Sequence, residues 1–372
     1  MSAAAERLEA LTGPFVHPAL FYRDDREYLE GTVPFVREGL AAGEPVAVAV
    51  PGDRLRLVRD ALGDDADAVR LLDMREAGRN PGRIIPGVLR AFADAQPAGK
   101  RVRIVGEPVW AGRSAAEYPA CVQHEALINA AFRGRTATIL CPYDAVRLPA
   151  HVLADAHATH PTVVPAGARP ARDSEVYDPD AVVARYNEPL PLVADAMTFP
   201  FVADSLPSAR HAASDEARRL GLTGVTLNDL ALATAELTTN SVLHGGGSGV
   251  LRVWAEDGHV LCEVRDGGRM TDPLAGRRPA SRDQRGGRGL LMVQPDRRPG
   301  ARAHRRRGHH DQMLVPPLTA RPAARAGAGA RPVQARSGSS KIGAILPSSI
   351  SPSPCTAHSS GRSAMFTGMP VA

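Results

Sequence analysis

The sequence predicts two domains in tandem, an α/β domain with a mostly parallel sheet and then an α+β domain, followed by a disordered or aberrant basic tail. Three observations carry this reading. Residues 15–164 alternate short apolar runs with segments of helical spacing. Residues 193–294 open on a strand that alternates apolar and polar positions and end on a glycine-rich loop. The composition then changes abruptly after Gln294. A chain of 372 residues has room for both domains and extra material.

In the first domain, Arg26–Leu40 places Tyr28, Leu29, Val33, Val36 and Leu40 at helical spacing and stops before Gly43, with Pro34 interrupting the pattern. Pro45–Val50 is an apolar run closed by Pro51-Gly52, as in a strand buried on both faces. Ala68–Leu72 and Val102–Val105 read as further strands, and Ile84–Ala93 and Tyr118–Phe132 as helices. Thr136–Cys141 reads as another buried strand, followed by a turn at Pro142-Tyr143-Asp144. Residues 165–192, rich in proline and charge and without periodicity, read as a linker.

The second domain starts on Met197, Phe199 and Phe201 in alternation, then a helix over Pro207–Leu220 stopped by Gly221. Asn228 suits the N-cap of a helix from Asp229 to His244. After Gly-Gly-Gly-Ser-Gly comes a hairpin of Val250–Ala255 and His259–Arg265 around Asp257-Gly258. Residues 295–372 show neither periodicity and read either as a basic tail or as a shift of the coding frame after Gln294.

Composition narrows the function classes. Hydrophobic content of 44% with 23% charge suits a soluble fold. No apolar stretch approaches the roughly 18 residues of a membrane span, and the first residues lack the apolar core of a secretory signal, so a cytoplasmic protein without membrane contact is expected. Cys121, Cys141, Cys262 and Cys355 are far apart with no Cys-x-x-Cys, which argues for small buried hydrophobes over a disulfide framework or a cysteine zinc site. The net charge of +5 misleads, because residues 295–372 hold 12 Arg or Lys against 2 Asp or Glu and leave the body mildly acidic. Direct DNA binding is therefore not expected.

Three segments of the second domain carry chemistry. Glu236, Asn240 and His244 are spaced by four, which puts a carboxylate, an amide and an imidazole on one helical stripe. Such a stripe suits a magnesium–nucleotide, since the ion takes hard oxygen ligands and a carboxylate can deprotonate a hydroxyl; an ordinary solvated face has the same spacing. Asp266-Gly267-Gly268 ends a predicted strand, where the carboxylate can accept the exocyclic amine of adenine and Gly268 lets backbone approach the base, although such a tripeptide is also a common turn. Arg285–Val293 opens a glycine-rich loop into an apolar helix start, an arrangement that offers N–H groups to phosphate; a flexible surface loop is the plainer alternative.

Together, Glu-Leu-Thr-Thr-Asn-Ser-Val-Leu-His-Gly, Val-Arg-Asp-Gly-Gly-Arg and Gly-Gly-Arg-Gly-Leu-Leu-Met-Val resemble the N, G1 and G2 boxes of the GHKL ATPases, in the form seen in anti-sigma-factor serine kinases. The resemblance implies an ATP-binding sandwich with ATP and Mg2+ as cofactors. Glu236 would be the catalytic base and Asn240 the magnesium ligand. Asp266 would hold adenine, Gly268, Gly287 and Gly289 would shape the pocket, and His244 would border it. Members of that family continue into a final sheet strand, and here the apolar pattern stops at Gln294, as if that strand were lost. The first domain has its own resemblance, to the MEDS sensory domain. Phe15-Val16-His17-Pro18 with Phe21-Tyr22, Gly106–Trp110, His124–Asn129 and Cys141–Asp144 carry it. Cys121, His124 and Glu125 share about one helical turn and His17 is a further candidate ligand; a helix with an ordinary core face explains the triplet as well.

The combined resemblance implies a protein serine/threonine kinase, provided the second domain is intact. It would sequester a sigma factor and phosphorylate a serine of an anti-anti-sigma (STAS-type) partner, as a homodimer under an unidentified signal. Two alternatives stand beside it: a catalytically inactive binding regulator, and a sensor histidine kinase fragment, for which the linker offers no phosphoacceptor histidine.

Overall fold

The computed structural model describes residues 13–115, 117–167, 170–187, 193–256, 259–268 and 272–279, together with the backbone of 310–315. The first unit is a largely parallel sheet flanked by helices. After β1 (Phe15–Val16) and β2 (Pro18–Tyr22), helix α1 (Asp25–Ala41) leads to β3 (Val46–Val50), α2 (Gly52–Leu62) and β4 (Arg70–Asp73). Short helices α3 (Met74–Ala77), α4 (Pro81–Ile84) and α5 (Arg90–Asp94) precede β5 (Val102–Gly106), α6 (Tyr118–Ala131), β6 (Ala137–Asp144), α7 (Ala150–Thr159) and β7 (Thr162–Val164). A two-residue strand β8 (Arg172–Asp173) completes the order β4-β3-β5-β6-β2-β7-β8, with β1 beside β6. Every pairing is parallel except β7 with β8.

Local chemistry explains these elements. All five residues of β3 are buried, as its unbroken Val-Ala-Val-Ala-Val run requires. Asp24 caps α1 by accepting from the Glu27 N–H at 2.8 Å. The helix runs through Pro34, whose cost of ~3 kcal/mol is offset by buried Val33, Phe35 and Val36 at ~1.5–3 kcal/mol each. Pro86 is less well absorbed: the helix expected over 84–93 is interrupted by a π-helical turn at Ile85–Leu89.

Two expectations about this unit need correction. Pro142, Tyr143 and Asp144 are not a turn; β6 continues through them because Cys141–Asp144 pair with Ala19–Tyr22 of β2 and are buried. Nor is 165–192 a free linker. Asp178 caps a seven-residue helix, α8 (Pro179–Arg185), whose Val182 is wholly buried against Val122, Ala126 and Ala158. Gln123 Nε2 donates to the Tyr186 carbonyl at 2.9 Å, and Arg185 meets Asp155 at 2.8 Å. A helix this short has no room to display periodicity.

The second unit is an antiparallel sheet with helices on one face. It comprises β9 (Met197–Val202), α9 (Leu206–Arg219), α10 (Gly224–His244), β10 (Ser248–Glu256) and β11 (His259–Asp266). Ala209, Ala213 and Ala217 give α9 a flat stripe that packs with Leu230 and Leu237 of α10 over Leu251, Val253, Val260, Cys262 and Val264. Helix α10 begins at Gly224, five residues before the predicted start, because Leu227 and Leu230 extend its apolar face; Asn228 lies inside it and is not the cap. A fourth strand, β12 (His310–Val315), pairs with β11 and gives the order β12-β11-β10-β9. A strand from within the segment read as a tail without periodicity therefore occupies the edge beside β11.

Candidate functional site

Helix α10 presents its three candidate residues as predicted in direction, at graded depth. Asn240 is buried, while Glu236 and His244 are half-buried. Four residues of helix rise ~6 Å, so Glu236 and His244 lie ~12 Å apart along one stripe. Neighbouring Thr234, Thr238 and Ser241 point inward, and each donates its hydroxyl to a carbonyl four residues back, leaving no buried hydroxyl unsatisfied there. Burial raises the Glu236 carboxyl above its ordinary pKa, the direction useful to a general base. Burial lowers the pKa of His244, and the nearby Asp266 carboxylate opposes that shift.

Asp266, at the end of β11, folds the chain back onto the end of α10. Its Oδ1 accepts from the Gly268 N–H at 2.9 Å, and the Gly267 N–H donates to the Gly245 carbonyl at 3.1 Å. The approach is so close that a Cβ on Gly268 would stand 2.5 Å from Gly245 Cα and 2.8 Å from the His244 carbonyl oxygen. A Cβ on Gly245 would meet the Asp266 carboxyl at 2.3 Å. The glycines of the Asp-Gly-Gly turn and of the helix end are thus required to interlock two backbones. From its sequence Gly268 is expected to let backbone approach a bound base; in the structure the backbone it approaches is that of His244 and Gly245. A cavity of about 550 Å³ opens beside Asp266 and Gly267, walled by Phe201, Val202, Ser205 and Gly249. Glu236 and Asn240 do not line it. Gly287 and Gly289 lie outside the described residues.

The first unit has a second concave site, at the carboxyl ends of β2, β3, β5 and β6. There a cavity of about 270 Å³ is lined by Tyr22, Pro51, Arg54, Glu107, Trp110 and Asp144. Parallel sheets bind ligands at this end. Tyr22 Oη donates to Glu107 Oε1 at 3.2 Å and Tyr28 Oη to Oε2 at 3.4 Å. Burial pushes the Glu107 carboxyl up to about 8 against the pull of Arg54. Tyr22, Glu107, Trp110 and Asp144 all fall in the segments that carry the MEDS resemblance, but no spacing shows that they meet, because Glu107 is 85 and 79 residues from its phenol partners.

Family models match both units in order. Residues 16–161 match the methanogen/methylotroph DcmR sensory domain, MEDS, and residues 199–295 match the histidine kinase-like ATPase domain. The chain carries a MEDS domain followed by a histidine-kinase-like ATPase domain. A search of curated proteins finds no significant match.

The ATPase match encloses Glu236, Asn240, His244, Asp266, Gly268, Gly287 and Gly289. The two domains touch through the segment just beyond the Asp-Gly-Gly turn. Leu274 is buried in the core cluster of the MEDS domain, while Ala275 packs on the core of the ATPase domain. Arg277 is fully buried near His124, whose pKa falls to about 3, chiefly through burial, with the guanidinium adding to the effect. Glu125 does not join Cys121 and His124 in a ligand set; it gathers instead with His17, Cys141 and His160. Among the described residues no helix is long and apolar enough to cross a membrane.

Proposed function

We propose that the protein is an ATP-dependent regulatory kinase of the anti-sigma type, in which the MEDS domain governs a serine kinase-like switch. The observation that carries this reading is the interlock of the α10 end with the Asp266-Gly267-Gly268 turn, one and two turns beyond Asn240 and Glu236. The donors fit a magnesium–nucleotide: an amide and a carboxylate supply hard oxygens, and a strand-end carboxylate borders a cavity. Bound ATP–Mg2+ would supply the transferable phosphoryl group. Asn240 would hold the ion through its amide oxygen, Asp266 the adenine amine, and Gly287 and Gly289 the phosphate loop, with His244 at the rim. Glu236, half-buried and raised in pKa, accepts the proton of the partner's serine hydroxyl. The acceptor is an anti-anti-sigma protein of STAS type, and the same domain sequesters a sigma factor. The signal enters at the Glu107 cavity of the MEDS domain.

The test is a transfer assay with labelled ATP, the full chain and such a partner. Glu236→Ala abolishes phosphoryl transfer and leaves nucleotide affinity within about twofold, since the general base contributes to the transition state more than to binding. Transfer that survives the substitution refutes the assignment of the base. A full chain that ignores ATP–Mg2+ refutes the nucleotide site.

A further inference from the structure

Four side chains from four separate parts of the MEDS domain converge at one point of its core. His17 comes from the link between β1 and β2, Glu125 from α6, Cys141 from β6, and His160 from the end of α7. All four are buried, and one potential ligand atom from each lies within 4.8 Å of the others. His160 Nε2 is 3.2 Å and His17 Nε2 3.5 Å from Glu125 Oε2, and Cys141 Sγ is 3.4 Å from His17 Nε2. Ligands at ~2.0–2.3 Å from a tetrahedral zinc stand ~3.3–3.7 Å from one another.

The outer contacts fix which ring nitrogen faces inward. Asn129 Nδ2 donates to the Thr159 and Ala126 carbonyls at 2.8 and 3.1 Å, which turns its Oδ1 to accept from His17 Nδ1–H at 3.1 Å. His160 Nδ1 lies 2.8 Å from the Ala156 carbonyl, an acceptor only, so it too carries the proton. Both Nε2 lone pairs are therefore aimed at Glu125. Neither Glu125 oxygen accepts a hydrogen bond from a described residue, and His160 Nε2 makes none. The Cys141 thiol can satisfy His17 Nε2, but the His160 Nε2 lone pair and the Glu125 carboxylate, 3.2 Å apart in a dry core, are left without a partner, an arrangement that a cation among the four groups relieves. A dication balances one carboxylate, one thiolate and two neutral imidazoles, so the loaded cluster carries no net charge.

We propose that this cluster binds one divalent transition metal of the zinc class, with His17 Nε2, His160 Nε2, Glu125 and the Cys141 thiolate as ligands. Asn129 and the Ala156 carbonyl orient the two imidazoles from outside, as second partners of metal-bound histidines do. All four positions come from the protein, which makes the site structural or sensory; catalytic sites keep a position open.

The test uses the full chain, stripped with a chelator, desalted and titrated with Co2+. One equivalent is expected to give the intense visible bands of a tetrahedral ion and a near-ultraviolet sulfur-to-cobalt charge-transfer band. Cys141→Ser loses the charge-transfer band, which separates this site from the other cysteines and from the histidines of the tail. Asn129→Ala keeps the band and weakens Co2+ binding by about 10–100-fold. Absence of Co2+ uptake by folded protein overturns the proposal, as does a charge-transfer band undiminished in Cys141→Ser. Should that variant fail to fold, as judged by circular dichroism, the wild-type band and stoichiometry with the Asn129→Ala shift decide: unaltered affinity in Asn129→Ala rejects the site.

Discussion

At the scale of single residues, two positions are held by physics that a substitution can expose. Gly268 has no room for a side chain, because the obstruction is the backbone of His244 and Gly245. Gly268→Ala is expected to destabilise the ATPase domain by ~1–3 kcal/mol through overpacking and to weaken nucleotide binding; thermal unfolding with and without ATP–Mg2+ measures both. Glu107 offers a pH test. Its folded pKa of about 8 lies above the ordinary carboxyl value of 4.5, so the folded state holds the proton more tightly. Its contribution is fully present below pH 4.5 and is lost as pH rises through 8. Denaturant unfolding of Glu107→Gln beside the wild type is expected to show a smaller fall in stability across that window. Parallel curves for the two proteins would reject the assignment.

At the scale of elements, β12 is the informative case. It completes the ladder of β11 from a segment whose sequence gave no strand signal, apart from Met313-Leu314-Val315 at its end. Chains ending at residue 309 and at residue 316 differ by little more than this strand. The shorter chain is expected to lose the outer hydrogen bonds of β11, and its ATPase domain to melt lower by ~4–8 °C for each kcal/mol lost. Equal melting temperatures would show that the strand contributes nothing to stability. Helix α8 is the opposite case, short but anchored: Val182 and the Arg185–Asp155 pair, joined by Tyr186 Oη donating to Asp155, fasten it to α6 and α7.

At the scale of the molecule, the segment 272–279 belongs to the ATPase domain by sequence and places Leu274 in the MEDS core. Leu274→Ala is expected to destabilise the MEDS domain by ~2–5 kcal/mol, the ordinary cost of emptying a buried leucine site. Urea unfolding followed by the emission of Trp110, which packs against the MEDS core, in a Trp254→Phe background measures it. An unchanged MEDS transition would mean that the two domains are not joined by this contact.

The sequence by itself determined the two domain classes, their order and the placing of Glu236, Asn240 and His244 on one helix, because each is written in spacing along one helix or strand. It also foresaw β3, α6 and the β10–β11 hairpin, whose apolar patterns are long enough to read. Tertiary structure alone decided the rest. Glu107 meets Tyr22, and Glu125 meets His17, Cys141 and His160, only because a parallel sheet brings strand ends from distant parts of the chain together. The same holds for β12 and α8, short segments whose conformation is fixed by the partner they pair with or pack upon. Local spacing records which face a residue takes; it holds no record of which distant residue lies opposite.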